Sequence, residues 1–292
     1  MDTLSRRSML QLSGLSVAGA SVLAGLGTST AVLGDETTAS RKARIRQSVS
    51  GWCYPKMTTD ELAAYAAKIG MQGVDLLEVK EYDIPRRHGL RCTMGYIGAG
   101  DIPVGVNRLS NHAQIEQACR DNIPLAAKAG VPNVILFSGN REGMGDAEGI
   151  RNSITGLNRV KKIAEDNGVT ICMELLNSHG HKDYMCDHTA WGVEVMQGVN
   201  SPNVKLLYDI FHMQIMEGNL IETITRNIQW IGHFHTGGVP GRHELDSHQE
   251  VQWAAVMEAI VATGYKGYVA HEFLPTRDPL VSLREAVDLC DV

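Results

Sequence analysis

Four times in its second half the chain runs through a few apolar residues and stops at a side chain that can bind a cation or move a proton. Ile171-Cys172-Met173 leads into Glu174, and Val204-Lys205-Leu206-Leu207 leads through Tyr208 to Asp209. Trp230-Ile231-Gly232-His233-Phe234 leads into His235, and Gly267-Tyr268-Val269-Ala270-His271 leads into Glu272. Segments with helical character separate the four runs. Strands alternating with helices build parallel sheets from βαβ units. A barrel of such units collects its reactive groups at the carboxyl ends of successive strands. The recurrence therefore constrains fold and chemistry together.

The first half continues the same period. Strands are expected at Ser48 to Trp52, Gly73 to Leu77, Leu90 to Tyr96 and Val134 to Phe137, and strand five at Val169 to Met173. Helices are expected from Thr58 to Ile69, Asn111 to Ala129, Ala147 to Asp166, Asp187 to Gln197, Asn219 to Asn227, Val251 to Thr263 and Leu280 to Leu289. Thr58-Thr59-Asp60-Glu61 supplies a hydroxyl cap with acids in the first turn. Gly70, Gly130, Gly168 and Gly264 stand where helices stop. Eight such units over residues 45–292 predict an α/β fold, a single-domain (β/α)₈ TIM barrel. No G-x-G-x-x-G follows the first strand, which argues against a dinucleotide-binding sheet.

Residues 1–40 read differently. Ser5-Arg6-Arg7-Ser8-Met9-Leu10 carries a twin arginine, and an apolar stretch rich in Gly, Ala, Ser and Thr follows from Leu12 to Leu33, before Asp35-Glu36. That pattern predicts an export signal and lead-in, and so a periplasmic or extracellular protein delivered by the twin-arginine route. A single membrane anchor is the competing reading, and the small and hydroxyl residues weigh against it. No stable membrane span is expected in the mature chain. The formal net charge of -6 offers no basic face, so no nucleic-acid partner is expected. None of the six cysteines has CxxC spacing, which excludes a zinc knuckle or a thioredoxin-type pair. Cys92 and Cys172 lie in strand-like runs and are expected in the core.

Glu174, Asp209, His235 and Glu272 offer three carboxylates and one imidazole. Such a hard, oxygen-rich set suits one divalent ion, Mn²⁺ or Mg²⁺ first, with Co²⁺ or Zn²⁺ admitted. His212 follows Asp209 by three residues and could bond a substrate oxygen beside the ion. Arg242, on the loop after strand seven, could bind a carboxylate or carbonyl through its fork of donors.

Met173-Glu174-Leu175-Leu176-Asn177-Ser178, Asp209-Ile210-Phe211-His212-Met213-Gln214, His233-Phe234-His235, Pro240-Gly241-Arg242-His243-Glu244 and His271-Glu272-Phe273 together resemble the sugar isomerase/epimerase superfamily. Its fold is the xylose isomerase-like barrel, and the nearest likeness is to the hydroxypyruvate isomerases and the ketose 3-epimerases. The likeness spans residues 48–290 and is densest from 170 to 275. It implies that Glu174, Asp209, His235 and Glu272 hold one metal, that Glu174 and Glu272 are the catalytic acid/base pair, and that His212 and Arg242 contact substrate. Hydroxypyruvate isomerases usually carry Gln where His235 stands, and the epimerases carry His. The expected activity is a metal-dependent isomerase that moves a proton between adjacent carbons of a small hydroxy-carbonyl or sugar through an enediolate. A ketose 3-epimerase, or a lyase or hydrolase acting on oxidised sugars or glycosides, is the alternative, and a non-catalytic sugar-binding protein the second. The partner is a small carbohydrate or keto acid, and a homo-oligomer is compatible with this reading.

Overall fold

Runs buried on both faces become parallel strands when helices cover one face and a packed lumen fills the other. A computed structural model shows this arrangement, and it describes residues 42–292. Eight strands form a closed barrel in sequence order: β1 Arg46–Ser50, β2 Gly73–Leu77, β3 Arg91–Tyr96, β4 Asn133–Leu136, β5 Thr170–Glu174, β6 Val204–Asp209, β7 Ile231–Thr236 and β8 Tyr268–His271. Closure is made by β1 pairing in parallel with both β2 and β8. The helices are α1 Thr59–Lys68, α2 His112–Ala129, α3 Asp146–Asn167, α4 Thr189–Val199, α5 Ile210–Met216, α6 Leu220–Asn227, α7 Trp253–Ala262 and α8 Pro279–Leu289.

Local chemistry sets the helix limits. Thr58 and Glu61 close a reciprocal capping box on α1. Gly130 ends α2 in the left-handed region at φ 74°, which only glycine adopts without strain. Two connections were given no element in the sequence reading. The chain between β2 and β3 forms only short 3₁₀ turns, Val79–Glu81 and Pro85–His88. After β6 the chain enters helix α5 at once, although Ile210–Met216 is too apolar throughout to show a helical period. The strands ending at Asp209 and Thr236 also run one or two residues further than the apolar runs suggested.

Alternation along each strand divides the side chains between two layers. On β6, Leu206 and Tyr208 join the large core under the helices, whereas Leu207 lies in a small lumenal cluster with Leu76, Met94, Ile135 and Cys172. Asp209, two residues beyond Leu207, falls on the same face. The period places Glu174 beyond Cys172 on β5 in the same way. Strand β2 departs from it: its register with β3 shifts on both sides of Asp75, and Leu76 takes φ 54°. Such an irregularity re-aims side chains, and here Asp75 and Leu76 both serve the lumen. All six cysteines are free and buried, Cys92 and Cys172 among them as expected. Among the described residues no helix is long and apolar enough to cross a membrane. The export-signal reading falls on residues 1–40, outside the described residues.

Candidate metal centre

Glu174 is the last residue of β5, Asp209 the last of β6 and His235 the last but one of β7, while Glu272 directly follows β8. All four are buried. One ligand atom from each lies within 4.8 Å of the other three. Nδ1 of His235 is 2.6 Å from Oε2 of Glu272 and 3.6 Å from Oε1 of Glu174. It nevertheless has no hydrogen-bond partner among the described residues. Three carboxylates around an uncommitted ring nitrogen fit a divalent ion.

The field at this point favours a cation. Burial pushes the Glu174 carboxyl up to about 7. Burial also opposes charge on Glu272, but Arg242, His235 and the Trp52 N–H outweigh it and hold its carboxyl well below the usual range. At His235 burial again opposes charge, and Glu272, Asp75 and Glu174 together hold the ring well above its ordinary value. These carboxylates favour positive charge at His235.

The sequence-predicted contact residues stand beside this cluster. Arg242 Nη2 bonds Asp209 Oδ2 at 2.7 Å and also Glu272 Oε2, and Arg242 Nε donates to the Glu272 carbonyl at 3.0 Å. Asp209 Oδ1 caps α5 by accepting the His212 N–H at 3.1 Å. Burial pushes His212 down to about 3, so its ring is neutral. The Asn177 N–H donates to Nδ1 of that ring at 3.1 Å, and its Nε2 lies 2.6 Å from Arg242 Nη1. The loop that carries Arg242 is anchored by Glu244, whose carboxylate accepts from Thr276 N, Thr276 Oγ1 and Ser282 Oγ at 2.8–2.9 Å.

A cavity of about 280 Å³ opens onto Glu174, Glu272, His212 and Arg242, and Trp52, Leu76, Tyr96, Ile135 and Phe137 wall its other side. Trp52 stands at the mouth, 45% exposed, and its indole N–H donates to Glu272 Oε1 at 2.5 Å. Three contributors escaped sequence reasoning. Trp52 was placed at a strand end. Asn177 sits inside a quoted motif without a role. Asp75 bonds His235 from the opposite wall of the lumen at 2.8 Å. A lone acid within an apolar strand is the signal that could have found Asp75, since buried acids are nearly always paired.

Comparison with known proteins gives a family-model match over residues 63–290, described as a xylose isomerase-like TIM barrel. A zebrafish protein provisionally named hydroxypyruvate isomerase is 29% identical over 204 residues, 70% of this chain and 60% of that protein. The D-psicose 3-epimerase of Ruminiclostridium cellulolyticum is 34% identical over 124 residues, 41% of this chain and 40% of that enzyme. The chain thus spans less than two thirds of the length of either relative. A crystal structure of D-psicose 3-epimerase with D-tagatose from Clostridium cellulolyticum H10 superposes with a TM-score of 0.68 at 19% identity, covering 84% of this chain and 98% of that one.

Proposed function

The chain belongs to the xylose isomerase-like TIM barrel family, and from that premise we propose a divalent-metal-dependent isomerase of the hydroxypyruvate isomerase type. The observation that carries this reading is the convergence of Glu174, Asp209, His235 and Glu272 within 4.8 Å at the mouth of a cavity. These four side chains would hold the ion, Mn²⁺ or Mg²⁺ by the hardness of the donors, with Co²⁺ or Zn²⁺ admitted. Bound there, the ion supplies Lewis acidity that stabilises negative charge on two adjacent substrate oxygens.

The remaining work falls to the chain. Glu272, fixed by Trp52 and Arg242, or Glu174 across from it would take the proton from the hydroxyl-bearing carbon next to the carbonyl. The partner glutamate, in its acid form, would give its own proton to the neighbouring carbon or to the opposite face, and the two swap protonation states. His212 and Arg242 line the cavity, where they would bond a substrate oxygen. The apolar wall excludes water.

A second reading, a ketose 3-epimerase, gains support from the cavity wall. The arginine lining the cavity is already paired with Asp209 and Glu272. Three carboxylates, that arginine and a divalent ion leave no net charge, so a keto acid would add a buried charge without a counterion. Deuterium uptake from D₂O, with added Mn²⁺, tests both readings on hydroxypyruvate and D-psicose. Chelator-sensitive exchange into either compound is expected. Exchange into the first alone supports the isomerase and into the second alone the epimerase, whereas no exchange into any keto acid or ketose removes both.

Export by the twin-arginine route is part of the same proposal and rests on Arg6-Arg7 and the apolar stretch after them. Replacing both arginines by lysine should leave the protein in the cytoplasm. Unchanged export in a fractionation assay would remove the twin-arginine reading.

A further inference from the structure

We propose that Asp75 is a positioning residue for the cation site: it fixes the proton of His235 on Nε2 and so leaves Nδ1 as the nitrogen that faces the ion. The inference rests on the metal site proposed above, and not on the reaction assigned to it.

Asp75 and His235 lie 160 positions apart and meet across the lumen. Both are fully buried, out of reach of bulk solvent. Oδ2 of Asp75 lies 2.8 Å from Nε2 of His235. A carboxylate only accepts, so the proton of that bond belongs to Nε2. With Nε2 committed as donor, a neutral imidazole has its lone pair on Nδ1, the nitrogen that lies against Glu174 and Glu272. Metal-binding imidazoles commonly use a carboxylate in this way to fix ring tautomer and orientation and to raise donor strength.

The other oxygen of Asp75 is held separately. Thr93 Oγ1 donates to Oδ1, and Ser48 Oγ lies 2.9 Å from Thr93 Oγ1. Nε2 of His233 lies 3.3 Å from the same Oδ1. Asn133 Nδ2 faces the other nitrogen of His233, Nδ1, at 3.4 Å. That contact makes Nδ1 the accepting nitrogen of His233 and leaves its Nε2 near Oδ1 without a hydrogen-bond partner among the described residues. The Thr93 hydroxyl on β3 thus holds one carboxylate oxygen and leaves the other for His235. The bulged register around Asp75 brings the side chain into that position.

The rival use of these groups is a second ion held by Asp75, His233 and His235, whose ligand atoms also lie within 4.8 Å of one another. The Thr93 hydroxyl and the His235 N–H already engage one oxygen each of the carboxylate, so the geometry favours hydrogen bonding over ligation.

Titration calorimetry with Mn²⁺ on the wild-type chain and Asp75→Asn is the test. Asparagine keeps the shape but is a weaker acceptor and brings a donor of its own. Mn²⁺ affinity should fall by about 10–100-fold, with one ion per chain in both proteins and an unchanged near-ultraviolet circular dichroism spectrum. Wild-type affinity in the folded variant overturns the role of Asp75. Two ions per chain in the wild type also overturns it, because Asp75 would then be a ligand. No Mn²⁺ binding by the wild type overturns this inference together with the metal site beneath it. Should the variant fail to fold, ¹⁵N spectra of the Zn²⁺-loaded wild type decide. A proton on Nε2 of His235 with none on Nδ1 supports the assignment, and the reverse pattern overturns it.

Discussion

Glutamine in place of Glu174 should lower the rate of substrate C–H exchange by about 10²–10⁴-fold, the usual contribution of a positioned proton-transfer group, while leaving the fold almost untouched. Glu174 is loosely tied, its nearest ionic partner being Nδ1 of His235 at 3.6 Å. An amide of the same shape therefore breaks little. Glu272→Gln should show the same kinetic loss with a structural cost added. Oε1 of Glu272 accepts from Trp52, and Oε2 accepts from Arg242. The amide nitrogen of glutamine would have to face one of those donors, leaving a buried donor unpaired at about 1–3 kcal/mol. Exchange measured with Mn²⁺ saturating in each variant separates proton transfer from ion affinity, and thermal unfolding separates both from folding. Wild-type exchange in either variant would show that its carboxylate moves no proton.

The quartet could be read from sequence because each member sits at the end of its own strand, a one-dimensional regularity. Its supports could not, because barrel closure creates them. Trp52 reaches Glu272 only after β1 pairs with β8, and Asp75 reaches His235 only across a filled lumen. Neither contact leaves a local pattern. Asp75 is hidden further within Gly73-Val74-Asp75-Leu76-Leu77, which reads as an ordinary apolar strand until the bulge turns two neighbours inward. Helix boundaries were legible where glycine or a capping box marks them, as at Gly130 and Thr58. They were not legible at α5, where a buried run begins on the cap supplied by Asp209. Arg242 and His212 were placed beside the quartet by their position after strand ends and then by resemblance, and the structure has both lining the cavity. What it adds is that the single charge of Arg242 is already shared between Asp209 and Glu272.

Asp209 joins two functions that different substitutions can pull apart. One oxygen caps α5 through the His212 N–H, and the other holds Arg242 at 2.7 Å. Alanine removes both bonds. Loss of a cap costs about 1 kcal/mol, and the buried guanidinium loses one of its two carboxylates, so unfolding in denaturant with chelator present should show a total loss of about 3 kcal/mol. Asparagine caps a helix as well as aspartate does, so Asp209→Asn should recover roughly the cap term and lose the charge alone. The ion should not distinguish the two variants, because a neutral amide is a poor substitute for a carboxylate toward a hard cation. In the wild type, Mn²⁺ at 100 times its dissociation constant should add about 2.7 kcal/mol to stability. At the same concentration the increment should nearly vanish in both variants. If Asp209→Asn keeps the full increment, its carboxylate holds Arg242 and the helix but not the ion, and the centre reduces to the two glutamates and His235.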